Sequence, residues 1–545
     1  MEYEDLFEYV GHFGKYQLLV YILLGLPSFY AGYQVVLMNF LGFQQKHWCK
    51  VPQLQNLSHE LQKYIAIPKD ETGVYKTCKV FDWDYSQYSY QELVNWNRST
   101  AGNATEVTCS EWVFDQSEFT STAVSRYNLA CGRAALVQFV STVYLFGNLV
   151  GAVTSGAISD KIGRWKTVII GLVGEIASTL AGAFAPDYVS FVIFRWLAAT
   201  FTSFAYLSAF VIVIEIIGPR FRVHTGVIHQ VFFSFGFMVL PAIAHMTRDF
   251  GNLQIAVGIL PVASIATIWG IPESARWLLV KGRKEECIEL FRKAARFNGK
   301  AFPEKVDLQI RDVNRDVSEG TLLDLFRTPN VRKRTLLLYT LWFTVTLIYY
   351  GLSLNVGALS GSVFINTFLS GLVEVPGNLI SLFTLDLIGR RYPIGCGYLF
   401  AAFTSLISIA LLQSKDLSWL LNTLSLLGKA ATTGVFSAIF VYTAELMATE
   451  VRNVGMGSSA MVSRVGGMAS PYVGGPFRNW WLPLPLVIFG TLSAMAGVAT
   501  FFLPETRGKK IPDTVAEAEY FGIRQKSKSA TDQPEDTVLN SPDTC

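Results

Sequence analysis

Residues 440–471 read FVYTAELMATEVRNVGMGSSAMVSRVGGMASP. Glu445 and Arg452 stand between two long apolar runs, where a helix leaves a membrane and the next one enters. Arg464 stands inside the second run, about 11 residues from its start. At ~1.5 Å per residue that is about half of a ~30 Å hydrocarbon core. A charge at that depth costs on the order of 2.5–3.5 kcal/mol, so it faces a partner or a water-filled path. The stretch reads as transporter machinery at Glu445 and Arg452 and as substrate site at Arg464.

The rest of the chain fits a membrane reading. Of its 545 residues 51% are hydrophobic and 16% charged, against about 25% charged in soluble proteins. The net charge of +3 and the lack of a basic cluster interleaved with aromatics argue against nucleic acid. The N-terminus, MEYEDLFEYVGHFGKY, has no basic region or small-residue cleavage site, so the first apolar run stays in the mature protein. Runs of spanning length fall at 16–38, 134–159, 167–186, 188–214, 226–246 and 253–271. Six more fall at 335–359, 363–385, 393–413, 417–442, 454–473 and 482–503. The fold class expected is an all-α membrane protein with twelve transmembrane helices, embedded in a lipid bilayer. Gly25 and Pro27 would bend the first span, a kink tolerated where neighbours cover the backbone.

The segments between spans carry their own signals. Residues 39–132 hold Cys49, Cys78, Cys109 and Cys131 and the sequons at Asn56, Asn97 and Asn103. An even cysteine set with three sequons reads as an extracellular, glycosylated, disulfide-bonded loop. Four cysteines allow three pairings, and the sequence does not choose. The plainer reading is unused sequons and free thiols. Residues 272–334 carry 15 Lys/Arg against 10 Asp/Glu, with a helical pattern near 285–297. They read as a cytoplasmic linker. Arg507, Lys509 and Lys510 place the 504–545 tail on the same side, with disorder expected after Tyr520. Both termini are then cytoplasmic, in a plasma-membrane protein.

Three motifs recur at nearly constant offset. Asp160-x-x-Gly163-Arg164 returns 226 residues later as Asp386-x-x-Gly389-Arg390. Glu215 with Arg222 returns 230 later as Glu445 with Arg452. Pro272-Glu273-Ser274 returns 232 later as Pro504-Glu505-Thr506. Each follows an even-numbered span. Three ordered echoes imply two parallel six-helix halves, 1–271 and 335–503, related by an axis along the membrane normal. These acids, bases and glycines read as helix-end contacts and salt bridges of a gate that breaks as the halves rock. The plainer reading is positive-inside anchoring.

Glu374, Lys429 and Arg464 all fall near mid-membrane depth, where repeat-built transporters hold substrate. Arg464 could take a carboxylate through its planar fork, and Glu374 could face an ammonium. In the plainer reading Glu374 neutralises Arg464 or Lys429, leaving one cation unmatched unless Glu175 supplies its partner. Glu175 in span 3 and Arg195 in span 4 read first as structural pair partners. No G-x-S-x-G, H-E-x-x-H or P-loop is present. The chain therefore reads as neither an enzyme nor an ATP-driven pump, with no metal site.

The paired halves resemble the major facilitator superfamily. PESARWL after span 6, PETRG after span 12, YTAEL-x5-RN-x-G after span 10 and C-x-x-W-x-F-D from Cys109 to Asp115 look like the organic cation, anion and zwitterion transporter family. The likeness covers roughly residues 1–520. The runs FGFMVLP (235–241), YYGLSLN (349–355), FLSGLVEVP (368–376), LGKAATTGVFSAIFVYTAEL and SRVGGMASPY are similar to its carnitine and zwitterion subgroup. Classical organic cation transporters have Asp where Arg464 stands; the anion and carnitine-type members have Arg.

The resemblance implies alternating access, with a small organic ion held between the halves. By family position it adds Tyr206, Trp342 and Tyr349 to the site, then Gln138, Tyr144, Phe235 and Ser437. Aromatic faces would each contribute about 0.5–2 kcal/mol to a quaternary ammonium. The expected function is secondary transport of zwitterions such as carnitine, or of related organic cations. The alternative is an organic anion exchanger using Arg464 and Lys429. A non-transporting receptor is disfavoured by the intact paired motifs. No cofactor is expected. Na⁺ coupling, H⁺, exchange and membrane potential all stay open as driving force. A monomer is expected.

Overall fold

The computed structural model describes residues 3–71, 73–97, 104–303, 321–412, 414–509 and 511–522. The expected disorder beyond 522 and the sequon at Asn103 lie outside the described residues. Nine helices among the described residues are long and apolar enough to cross a membrane. Spans 1–5 are Lys15–Val36 (continued by Met38–Leu41), Ala135–Ile162, Arg164–Ala183, Tyr188–Ile216 and Arg222–Thr247. Span 7 is Pro329–Leu354, span 9 Arg391–Leu411 and span 10 Ser418–Leu446. Span 8 comes in two segments, Val363–Leu372 and Glu374–Ile388. The break has a local cause: Pro376 offers no N–H and crowds the carbonyl four residues back, at Leu372.

Three further helices complete the twelve and fall short of a simple spanning pattern. Span 6 is split at Pro261 into Phe250–Ile259 and Val262–Thr267. Span 11, Arg452–Gly474, is diluted by glycine and serine around Arg464. Span 12, Leu484–Thr500, has 17 residues, shorter than the 482–503 run. Span 7 starts at Pro329 rather than 335, because Thr328 is extended and Pro329 takes the first turn, where a missing N–H costs nothing. Pro27 lies within an unbroken helix.

Each half closes with a short helix at the end remote from the cysteine-rich loop. In the first half Lys284–Phe297 packs on Leu6–Val10, with the Phe7 and Phe291 rings 5.3 Å apart. The Tyr16 N–H donates to Asn298 Oδ1 at 2.9 Å. In the second half Val515–Tyr520 sits at the start of span 7, where the Glu519 carboxylate accepts from the N–H groups of Asn330 and Val331 at 3.0 and 3.1 Å.

The cysteine-rich loop folds on itself. Strand His47–Cys49 pairs antiparallel with Trp112–Phe114, and Lys79–Phe81 with Glu106–Thr108. Disulfides join Cys49 to Cys109 and Cys78 to Cys131. Leu54, Ile65, Tyr85, Leu93 and Trp96 form its own small core. Asn56 and Asn97 are exposed on it.

The halves meet most closely at the loop end. There Asn39 of span 1 donates to the Ser353 carbonyl at 2.8 Å, and Thr142 of span 2 to the Met468 carbonyl at 3.1 Å. Phe364 stacks between Phe40 and Phe119, with centroids 5.6 and 5.3 Å away. At the opposite end His224 reaches Asp386 at 3.5 Å, and both side chains are about half exposed.

Candidate functional site between the halves

The three mid-depth charges separate into a closed pair and a single cation. Glu374 opens the second segment of span 8 and is 1% exposed. Lys429, in the middle of span 10 and equally buried, lies 2.9 Å from its Oε1. Tyr349 donates to the same oxygen at 2.8 Å, and Ser234 of the other half donates to Oε2 at 2.9 Å. Lys429 also donates to Ser370 at 2.7 Å, and its ammonium sits 3.9 Å from the Phe237 ring centroid. Every strong site on the carboxylate is taken, as a buried charge requires. In this arrangement Glu374 is paired with Lys429 and not with Arg464.

Arg464 is left apart. It is only partly buried, and among the described residues no acid pairs with it. Its helix is pressed against span 7: a Cβ on Gly466 would meet the Phe343 carbonyl at 2.3 Å, and Thr346 donates to the Ser463 carbonyl at 2.7 Å. That contact fixes the height of Arg464. Tyr206 of span 4 lies on the other side of the seam between halves, in the first half. Gln230 donates to Tyr206 at 3.3 Å. Tyr350 lies against Gly467, edge-on to Tyr349 at 5.2 Å.

The other candidates spread out from this centre. Tyr349 stacks on Phe436 at 5.8 Å. Trp342 is buried in the second half's core, donating to Thr443 at 3.0 Å with Phe440 edge-on at 4.5 Å. Ser437 donates to Asn378 at 2.5 Å, tying span 10 to span 8. Gln138 lies against Gly475 at the loop end, and Phe235 is half exposed with no ring partner among the described residues. Tyr144 lies in the first half under the Arg195 guanidinium, 4.5 Å from its ring centroid. Ser234, Ser370, Gln230 and Tyr350 had no signal of their own in the sequence.

The repeated motifs form matching caps at the end away from the loop. In the first half the Glu273 carboxylate accepts from the N–H groups of Arg164 and Trp165 at 2.9 and 3.1 Å, at the N-terminus of span 3. In the second, Glu505 accepts from those of Arg390 and Arg391 at 2.9 and 3.0 Å, at the N-terminus of span 9. A helix N-terminus presents unpaired N–H donors and positive partial charge, so a carboxylate suits it. Gly163 (φ 111°) and Gly389 (φ 107°) make the turn before each helix, and a Cβ at either would strike the capping carboxylate. Burial works to raise the Glu505 carboxyl, but the backbone N–H groups of Arg390, Arg507, Arg391 and Thr506 outweigh it and hold it below its usual range.

Around these caps the pairing differs from the seven-residue spacing of the motifs. Glu445 pairs with Arg390 at 2.8 Å and accepts from Thr506 at 2.5 Å. Glu215 faces Arg164 at 3.8 Å and accepts from Ser274. Arg222 turns instead to Glu4 at 2.9 Å and to the Ile214 and Ile217 carbonyls. Arg452 donates to Thr449 at 3.0 Å. Asp160 pairs with Arg164 at 2.9 Å, whereas its echo Asp386 crosses to His224. The caps therefore brace each half internally, and only Asp386 reaches across.

Two parallel six-helix halves meeting around buried charges define a membrane transporter of the major facilitator fold. The xylose transporter of E. coli in an inward-open conformation superposes with a TM-score of 0.61 at 14% identity, covering 92% of this chain and 99% of that one. The sugar (and other) transporter family matches residues 23–514. The organic cation transporter protein of Drosophila melanogaster is 36% identical, covering 98% of this chain and 97% of its own. Solute carrier family 22 member 3 of Rattus norvegicus is 32% identical, with 94% and 95% covered. The organic cation/carnitine transporter 2 of Homo sapiens is also 32% identical, with 94% and 93% covered. The chain belongs to the sugar (and other) transporter family and, within it, to the organic ion transporters of solute carrier family 22. It is a multi-pass membrane transporter of organic ions, not an enzyme.

Proposed function

We propose that the chain carries small organic ions bearing a carboxylate, zwitterions such as carnitine foremost, across the plasma membrane by alternating access. One observation carries this reading: Glu374 is already matched by Lys429, while Arg464, partly buried at similar depth, has no acid paired with it among the described residues. A planar guanidinium there takes a carboxylate through two parallel hydrogen bonds. With both oxygens of Glu374 engaged, the ammonium end of a zwitterion falls to the rings of Tyr206 and Tyr350. The disulfide-bonded loop faces outside and both termini face the cytoplasm. The closed seam at the loop end then makes this an inward-facing arrangement.

An organic anion exchanger is the second reading, favoured by the same Arg464. Its other cation, Lys429, is occupied by Glu374, which weakens it. Tracer uptake in cells, with carnitine, tetraethylammonium and p-aminohippurate as separate probes, tests both. Wild type should take up carnitine above the other two, and Arg464→Ala should lose carnitine and p-aminohippurate at unchanged surface expression. Wild-type uptake of carboxylates by that variant overturns the assignment. Replacing external Na⁺ by Li⁺ in the same assay reads Na⁺ coupling.

A further inference from the structure

The proposed site makes no use of the most unusual group in the first half. Glu175 lies in the middle of span 3, 1% exposed, and neither carboxylate oxygen has a hydrogen-bond partner. Gln34 and Thr202 stand nearby without closing a bond to it. The ionisable groups within its electrostatic reach are Arg195 on span 4, Tyr144 on span 2, and Tyr30 and Tyr33 on span 1. Span 6, also packed on span 3, has no ionisable residue. The two span 1 hydroxyls are committed elsewhere: Tyr33 donates to the Val257 carbonyl at 3.0 Å, and Tyr30 pairs with Ser264.

Arg195 is 2% exposed and is bonded to Gln34 rather than to the acid. Its Nη1 donates to Gln34 Oε1 at 2.9 Å and its Nη2 to the Gln34 carbonyl at 3.1 Å, while its Nε has no partner. A buried acceptor and a buried donor of opposite charge thus stand near each other, both unsatisfied. A bare carboxylate in such a place is costly, whereas a protonated one is neutral. A metal ion does not fit: a guanidinium stands close by, and Gln34 Oε1 and the Tyr30 and Tyr33 hydroxyls are engaged.

We propose that Glu175 is a proton-binding site, and that its protonation sets which partner Arg195 holds. With the proton bound, Arg195 holds Gln34, as seen here. With the proton released to solution, Arg195 turns its Nε to the Glu175 carboxylate and lets Gln34 go. Gln34 lies on the same span as Asn39, which closes the loop-end seam on Ser353. Loss of the proton therefore loosens that seam, and low pH favours the arrangement described. Coupling of this switch to substrate flux rests on the transport reading; the proton site does not.

The test places a cysteine at buried Ser353 (Ser353→Cys) in full-length protein in nanodiscs, with Cys287, Cys396 and Cys545 replaced by serine. Labelling by a maleimide is normalised to the unfolded protein at each pH. Expected is about threefold or more faster labelling at about pH 8 than at about pH 6, the direction proton linkage gives. Glu175→Gln should stay shielded at both. Gln34→Leu, which removes the side-chain acceptor of Arg195 and leaves it the backbone carbonyl, should shift labelling toward the open rate at both, and it decides the matter if Glu175→Gln fails to fold. A pH response retained in either variant, or absent from wild type, overturns the proposal. Carnitine uptake across the same pH range separates the two readings: a labelling response without uptake leaves the proton site standing and sinks the transport reading.

Discussion

The two halves agree at their ends and disagree in their interiors. At the ends, Glu273 and Glu505 cap spans 3 and 9 through equivalent backbone N–H groups, with Gly163 and Gly389 turning before them. In the interiors, the first half holds Glu175 and Arg195 apart. The second closes Glu374 onto Lys429 and leaves Arg464 over. Backbone geometry has been kept twice where a helix must start sharply. The charges differ in the interiors of the two halves. The shared frame is a matter of helix ends, and the asymmetry lies in the interior charges.

Lys429→Ala should break the second half most severely. It strands Glu374 in the core, a loss of about 3–5 kcal/mol, seen as collapse of surface expression and thermal stability. Lys429→Met with Glu374→Gln should recover folding; failure to recover would mean the pair does more than neutralise itself. Glu374→Gln alone should lower uptake of carnitine, tetraethylammonium and p-aminohippurate alike where Glu374 serves only to pair Lys429, and a loss confined to carnitine and tetraethylammonium would give it a role in binding the ammonium. Next in size is Arg464→Ala, expected to cost carboxylate uptake about 3 kcal/mol, or roughly a hundredfold, without a matching loss in melting temperature.

The caps sharpen the comparison from the symmetric side. Glu273→Gln and Glu505→Gln should each cost about 1–2 kcal/mol in a thermal-shift assay, and unequal losses would show that the halves are braced differently. For Glu505 the sign with pH follows from its lowered carboxyl. Its contribution is present above the unfolded-state pKa and is lost as pH falls through the folded one. Glu505→Gln should therefore remove part of the acid sensitivity of melting. The smallest effect belongs to His224→Ala, about 0.5 kcal/mol or less, because the contact to Asp386 is exposed at both ends.

The frame was legible because crossing a membrane demands about 20 apolar residues and because the echoes kept order and offset. Breaks such as Pro376 ahead of the site were not, since a kinked span keeps its apolar composition. Depth alone placed Glu374, Lys429 and Arg464 together, but depth is one coordinate. Which cation the acid takes depends on the azimuth of each side chain and on spans 5 and 7, set by tertiary packing. Ser234 and Ser370 gave no signal because hydroxyls in spans commonly bond their own backbone, as Ser437's neighbour Thr433 does to the Lys429 carbonyl. The disulfide pairing waited on strands of three residues, too short to read from alternation.

The stack of Phe40, Phe364 and Phe119 has a thermal consequence. His245 meets Phe364 edge-on at 5.1 Å, so the loop-end seam carries aromatic surface beside its two hydrogen bonds. At the far end, among the described residues, the ion pair between the halves is the exposed contact of His224 with Asp386. Opening one end and closing the other then exposes net apolar area, which carries a heat-capacity change. Apolar closure weakens on cooling. Cold should therefore shift this transporter away from its loop-closed orientation, giving it a resting state that depends on temperature as well as on cargo.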